Sequence, residues 1–466
     1  MFATLLEWIK KAVAAMFGQE QQPVKKAEIA LGDKMRTAIE LWSKMYQDKA
    51  DWNIARNMHG LKLPAAVASE LARQATIEAD HTLEGSPRAD YLSAQFAPVF
   101  DDLRRATEYG CAKGGLVFKP YPDGQGGIAV DLVQADRFAP VAFDSRGNII
   151  AAVFTETLTR GKNIFTRYEY HALDGSRYTV RNIAYASTQQ GLQGHPVPLA
   201  SVPEWAELAE TVTFENIKAP LFGYFRAPGA NTVDDASPLG VSVYSRAVTL
   251  IRQADEQWER ILWEFEGGEL AVDASEDIFR LDENGKYKLP KGKERLYRLN
   301  DVAVMESGNK FIETFAPQLR DSSYFNGLNN ILKRIEFNCG LAYGTLSDPQ
   351  NVDKTAEEIK TSKQRSYATV TDIQKALETA LRDLVYAMDI YASLYQLAPA
   401  GAYSLSFYWD DSVLVDSATQ RMQDKEDVRD GIMQKWEYRM KWYGEDEETA
   451  RKMADESGSI RFPEGG

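Results

Sequence analysis

The chain has 466 residues, 44% of them hydrophobic and 26% charged, which leaves room for two or three domains with a substantial core. Its formal charge of −14 argues against a surface that wraps nucleic acid, because such a surface is basic in order to release counterions. A protein that surrounds DNA without holding it stays open.

The first stretch, MFATLLEWIKKAVAAMFG, sets Phe2, Leu5, Leu6, Ile9, Val13 and Met16 at helical spacing, with Glu7, Lys10 and Lys11 between them. This predicts an amphipathic helix too short and too charged to cross a bilayer. Docking on its own chain or a neighbour is the expectation, and membrane-surface binding the lesser alternative. No other apolar run reaches transmembrane length, so a soluble protein is expected. Cys111 and Cys339 read as small buried residues in a reducing compartment. His59, His81, His171 and His195 are scattered, so no structural zinc pattern forms.

Residues 33–110 read as helical. Met35, Ile39, Trp42 and Met45 share one helix face, and Val67, Leu71 and Ala75 share another within LPAAVASELARQATIEAD, with Pro64 in its first turn. SAQFAPVFDDLRRATEYGCAKGG reads as one more helix, closed by Gly114 and Gly115. From 115 to 218 the period changes to two, and PDGQGG, DSRGN and LDGS supply turns, which predicts an antiparallel, two-layered β region. STQQGLQGHPVPLASVPEW reads as a polar surface loop.

Residues 237–268 predict a long helix, with Ser237 as cap, Pro238 in the first turn and Gly267 and Gly268 as the stop. Its stripe runs through Ala247, Leu250, Ile251, Ala254, Trp258, Ile261, Leu262 and Phe265. A compact α/β patch follows, then a second stripe helix at 322–341 carrying Leu328, Ile331, Leu332 and Ile335. A turn rich in small polar residues leads into one unbroken helix from about 354 to 396, which at 1.5 Å per residue spans roughly 60 Å. Its first turns are almost wholly polar, whereas Val370, Ile373, Leu377, Leu381, Leu384, Met388 and Tyr391 form a stripe that must be buried. Residues 417–456 read as a pair of charged helices.

Chemistry-bearing motifs are missing. There is no phosphate loop, no dinucleotide-binding glycine motif, no nucleophile elbow and no zinc-protease helix. His171 and Asp174 fall at a hairpin turn, where Asp-Gly serves the backbone. Asp234–Asp235 and Asp410–Asp411 are commoner as exposed loop charge than as cation ligands. The basic cluster KYKLPKGKERLYR (286–298) suits phosphate or an acidic partner protein. Neither an enzyme site nor a cofactor or metal site is expected.

Two ordered blocks carry a resemblance. PLFGYFRAPGANTVDDASPLGVSVYSRAVTLIRQAD (220–255) leads an apolar–aromatic strand through an Asn-bearing loop into a Ser-Pro-x-Gly-x-Ser helix start. KTAEEIKTSKQRSYATV (354–370) is similar to a Lys-Thr-Ala-x-Glu segment that follows a tunnel loop. Spaced by a short α/β insertion between two long helices, they make the chain resemble the portal proteins of tailed bacteriophages, in the branch found in long-tailed phages of Gram-positive hosts. The resemblance extends to about residue 440.

It implies an α+β portal fold. Residues 1–236 would be the wing, with helices and an antiparallel β region. Residues 237–267 and 321–341 would be stem helices flanking a small α/β clip at 268–320. Residues 342–353 would be the tunnel loop, 354–412 a long helix and returning wing strand, and 413–466 the crown. The resemblance further implies a closed head-to-tail ring, about twelve-fold, at one capsid vertex. The ring would be the channel for packaging and ejecting double-stranded DNA, without sequence recognition. Other implied partners are the terminase large subunit, a head–tail adaptor, and the major capsid and scaffolding proteins, in the virion and, during assembly, the host cytoplasm. No membrane partner is implied.

The implied tunnel loop comprises Tyr343, Gly344, Thr345, Leu346, Ser347, Asp348, Pro349, Gln350, Asn351, Val352 and Asp353. The cations placed to face DNA or the next subunit are Lys333, Arg334, Lys354, Lys360, Lys363 and Arg365. Lys286, Lys288, Lys291, Lys293, Arg295 and Arg298 would make clip contacts. A mostly acidic channel lets DNA slide, because each neutralised phosphate adds affinity. The polar start of the long helix would line that channel, and it and the loop would bury little. A different head–tail connector or minor head protein, and an enzyme with an unrecognised site, are the alternatives.

Overall fold

The computed structural model describes residues 2–17, 29–56, 58–268, 271–275, 297–300, 312–315, 318–348, 356–409 and 417–456. Helix α1 (Phe2–Phe17) buries Phe2, Leu6, Ile9, Ala12 and Val13 against the protein itself. Its backbone is tied down where Arg181 donates to the Met16 carbonyl at 3.0 Å and the Gln193 side chain to the Trp8 carbonyl at 3.0 Å.

Helices α2 (Asp33–Tyr46), α3 (Asp51–Arg56), α4 (Leu63–Thr76), α5 (Pro87–Asp101) and α6 (Leu103–Lys113) follow, with two corrections to the helical reading. The chain leaves α4 at Thr76 and forms a strand, β1 (Ala79–Glu84), paired antiparallel with β14 (Ser404–Trp409). The partner lies at the other end of the chain, where no local period can announce it. His81 of β1 packs on Phe96 and Phe100, which Phe407 of β14 completes. The second correction is that one anticipated helix is two, α5 and α6, divided at Asp102. In α6, Gly110 meets Phe225 so closely that a Cβ would lie 2.3 Å from its ring.

The alternating region folds as two antiparallel sheets. The first holds β2 (Gly115–Pro122), β3 (Ile128–Gln134) and β10 (Gly223–Arg226) in the order β10-β2-β3. The second holds β4 (Phe138–Phe143), β5 (Ile149–Arg160), β6 (Asn163–Asp174), β7 (Arg177–Ser187) and β8 (His195–Val197) in sequence order, with β9 (Thr211–Phe214) also on β7. Tight turns at Asp144–Asn148 and at Gly161 and Gly175 give the neighbour-to-neighbour order. The segment expected as a polar surface loop is instead partly internal: Leu199, Val202 and Trp205 bury against Ala184, and the Trp205 indole donates to Glu156 at 3.1 Å. Apolar residues spaced three apart escape notice in a stretch dominated by Gln, Gly and Pro.

Ser237 does not cap a helix. Residues 237–244 are irregular, a 3₁₀ turn spans Ser245–Ala247, and α7 begins later (Val248–Gly267). The Asn231 amide donates to the carbonyls of Ser237 and Leu239, while its Oδ1 accepts from the backbone N–H of Val233 and Asp234. Gly240 passes so near Gly114 that a Cβ would sit 2.2 Å from the Gly114 carbonyl oxygen. Backbone committed to this close packing cannot also coil.

Between α7 and α8 (Asp321–Cys339) stands a three-stranded sheet. β11 (Ala271–Ser275) is central, parallel to β12 (Tyr297–Asn300) and antiparallel to β13 (Ile312–Phe315). α9 (Ala356–Leu394) buries Val370, Ile373, Leu377, Leu381, Leu384 and Met388 completely, in agreement with its stripe. It presses on β10, where Gly223 leaves no space for a Cβ beside the Ala380 carbonyl oxygen. The C-terminal region forms three helices rather than two: α10 (Ser417–Arg429), α11 (Lys435–Tyr443) and α12 (Glu447–Glu456). Gly431 at φ +77° and a capping box between Gln434 and Glu437 separate α10 from α11. Among the described residues no helix is long and apolar enough to cross a membrane.

Candidate functional site at the turn between the long helices

Helix α8 stops at Gly340, whose φ of +73° permits the left-handed turn, and the Leu341 N–H closes back on the Glu336 carbonyl at 2.9 Å. A side chain at Gly340 would also strike Thr369 of α9, so the two helices meet here. The chain then folds back along α8. Glu336, fully buried, accepts the N–H groups of Gly344, Leu346 and Ser347 on Oε1 at 3.1, 2.6 and 2.8 Å. Its Oε2 accepts the Ser347 hydroxyl at 2.9 Å. Seven residues earlier on the same face, Asn329 accepts the Asp348 N–H at 2.8 Å.

This corrects the expectation that the loop buries little. Gly344, Leu346, Ser347 and Asp348 are hydrogen-bonded to α8, Tyr343 and Thr345 are half-buried beside them, and Ser347 is 4% exposed. The residues that read as turn formers are small enough for successive N–H groups to converge on one carboxylate, the geometry of an anion nest. Pro349, Gln350, Asn351, Val352, Asp353 and Lys354 lie outside the described residues.

The anticipated cations separate into different environments. Arg365 of α9 stacks over Phe337 at 4.4 Å and Tyr343 at 5.5 Å, so it clamps the turn of its own chain. Lys333 is half-buried, while Arg334 and Lys363 are exposed. Lys360 sits on α9 and Arg298 on β12, their side chains outside the described set; Lys286, Lys288, Lys291, Lys293 and Arg295 lie outside it altogether.

At the far end of the helix pair, Glu264 of α7 receives the Arg320 backbone N–H at 3.1 Å and its guanidinium at 3.1 and 2.7 Å. Beside this clasp stands an apolar surface. Trp263 is 66% exposed, Leu262, Phe265, Leu319 and Phe325 are exposed with it, and Phe265 and Phe325 touch at 6.2 Å.

Ionisable groups elsewhere are structural in their contacts. His171 is held between the Tyr178 hydroxyl and Glu169, both at 2.8 Å, and burial pushes its pKa down. Asp174 stands at the end of β6, at the hairpin turn. Burial pushes the thiols of Cys111 and Cys339 up to about 12, which leaves them unreactive. Among the described residues no group of three or more His, Cys, Asp or Glu is arranged for a metal. Glu336 and Asn329 belong to no motif in the sequence. Their one signal is a pair of polar residues seven apart on the buried face of a stripe helix that precedes a Gly/Ser turn.

A family model described as phage portal protein, SPP1 Gp6-like, matches residues 97–460, well over half of the chain. The chain belongs to this portal protein family. The portal match begins inside α5 and so takes in the β layers, both long helices, the carboxylate-bound turn and the C-terminal helices. Portal proteins are structural, head–tail connector components of the bacteriophage virion, and the family is not an enzymatic one. No curated protein matches. Among solved structures, a similar chain occurs in the neck of a native GTA particle computed with C12 symmetry. It is 11% identical with a TM-score of 0.41, covering 80% of this chain and 89% of that chain.

Proposed function

We propose that this portal protein is one subunit of a closed ring, about twelve-fold, set at a capsid vertex as the channel for DNA packaging and ejection. The observation that carries the reading is the exposed aromatic surface on α7 and α8 around Trp263. A monomer rarely leaves such a patch in water, and in a ring the next copy covers it. The segments 237–267 and 321–341, helical as α7 and α8, then act as the stem, 268–320 as the clip, 342–353 as the tunnel loop, 1–236 with the strand returning after α9 as the wing, and 413–466 as the crown. Terminase and a head–tail adaptor dock on the clip side, and capsid and scaffolding proteins surround the outer part.

The channel works by not gripping. The balance of charge is acidic, and Arg334 of α8 and Lys363 of α9 are exposed, so contact with DNA is sparse, through phosphate and independent of sequence. Native mass spectrometry and single-particle images of the purified chain test the proposal. Rings of about twelve copies are expected. A strict monomer or dimer at high concentration sinks it.

A further inference from the structure

We propose that Glu336 is the positioning residue of the candidate channel loop, the anchor that fixes the path of residues 344–348 back along α8. The side chain is completely buried, and four donors of the loop converge on its two oxygens at 2.6 to 3.1 Å. A carboxylate withdrawn from water is tolerated only where such donors replace its hydration. Here three of the four are backbone N–H groups, and they reach the carboxylate together only along this path. The charge therefore selects one conformation of a segment whose composition, Gly-Thr-Leu-Ser-Asp, specifies none by itself.

Asn329 acts as the second peg. It lies about 10 Å from Glu336 along the helix at 1.5 Å per residue, and its Oδ1 takes the Asp348 N–H. Between the two pegs the loop runs antiparallel to α8, so its direction of exit is a property of one helix face. Arg365 covers the turn from the α9 side through Phe337 and Tyr343. The anchor stands on these contacts alone; only its consequence for DNA rests on the channel reading.

Hydrogen–deuterium exchange of the purified full chain tests the anchor. Glu336→Ala is expected to speed exchange of the Gly344, Leu346 and Ser347 amides by about tenfold or more while α8 keeps its protection. Glu336→Gln, which retains an oxygen at the site, restores most of it, and Ser347→Ala gives a smaller rise confined to the loop. Unchanged loop exchange in Glu336→Ala overturns the proposal, and so does an equal loss of protection along α8 and α9, which would make Glu336 a general folding residue. If Glu336→Ala does not fold, Ser347→Ala decides: a rise in exchange confined to the loop supports the anchor, and unchanged loop exchange overturns it. A variant with the local rise that still packages and retains DNA normally removes the channel role of the loop and leaves the anchor standing.

Discussion

Lys119 of β2 donates to Glu169 of β6 at 2.6 Å, and this contact joins the two β-sheets through a buried ammonium and a largely buried carboxylate. Arg167 lies 3.2 Å and His171 2.8 Å from the same carboxylate. Burial pushes Glu169 up, but Lys119, Arg167 and His171 overcome it and hold the carboxyl well below the usual range. Its stabilising contribution is therefore present above the unfolded value of about 4.3 and is lost only as pH falls through the lower folded value. Lys119→Met removes the main counter-charge and is expected to cost about 3 kcal/mol in chemical denaturation at pH 7. A loss under about 0.5 kcal/mol would mean that apolar contacts alone hold the sheets together.

His81 gives a pH dependence of the opposite origin. Burial among Phe96, Phe100 and Phe407 lowers its pKa more than Asp80 and Asp101 raise it. The unfolded chain then takes up a proton first, so this contribution is complete above about pH 6.5 and declines as pH falls below it. His171 shifts the same way. His81→Phe, which suits the aromatic surroundings, should reduce the loss of stability between pH 7 and pH 5. An unchanged slope in paired denaturation curves would refute the assignment.

Arg88 ties the start of α5 to the end of α9. It is 2% exposed and donates to the Pro399 carbonyl at 2.9 Å and the Ser393 hydroxyl at 3.3 Å, with the Asp389 carboxylate at 3.7 Å. Arg88→Ala removes a buried guanidinium together with its hydrogen bonds to Pro399 and Ser393 and should cost about 2 kcal/mol. Arg88→Lys should recover only part, because a single ammonium cannot reproduce the planar fork. Thermal melting of the three proteins decides, and equal melting for Lys and Arg would contradict the geometry.

Deletion of residues 344–348 separates composition from structure. Composition treats the segment as dispensable, whereas its removal strips the buried Glu336 of four hydrogen bonds. A loss of about 2–4 kcal/mol is expected in chemical denaturation. Undiminished stability would return the segment to the status of a loose turn.

The double change Leu262→Ser with Trp263→Ser tests the exposed surface. Both side chains already stand in water in the single chain, so its stability should stay within about 0.5 kcal/mol. Ring assembly, read by native mass spectrometry, should fall sharply. Normal rings would show that another face joins the subunits.

Several elements were determined by the sequence itself. The stripe from Val370 to Tyr391 and the faces of α1 and α2 follow from a period of three to four residues. The hairpins β5 to β7 follow from alternation and turn chemistry, which are likewise properties of neighbours along the chain. The portal resemblance came from ordered blocks, and the family match upholds it. Tertiary structure alone decided the pairing of β1 with β14, the irregular path from Ser237 to Tyr244, and the attachment of the loop to Glu336. In each case the deciding partner lies elsewhere: a strand at the far end of the chain, the Gly114 backbone, or a carboxylate on the preceding helix. Polar composition records that Gly344 to Asp348 can turn, but which buried acceptor satisfies their N–H groups is settled only when the helices pack.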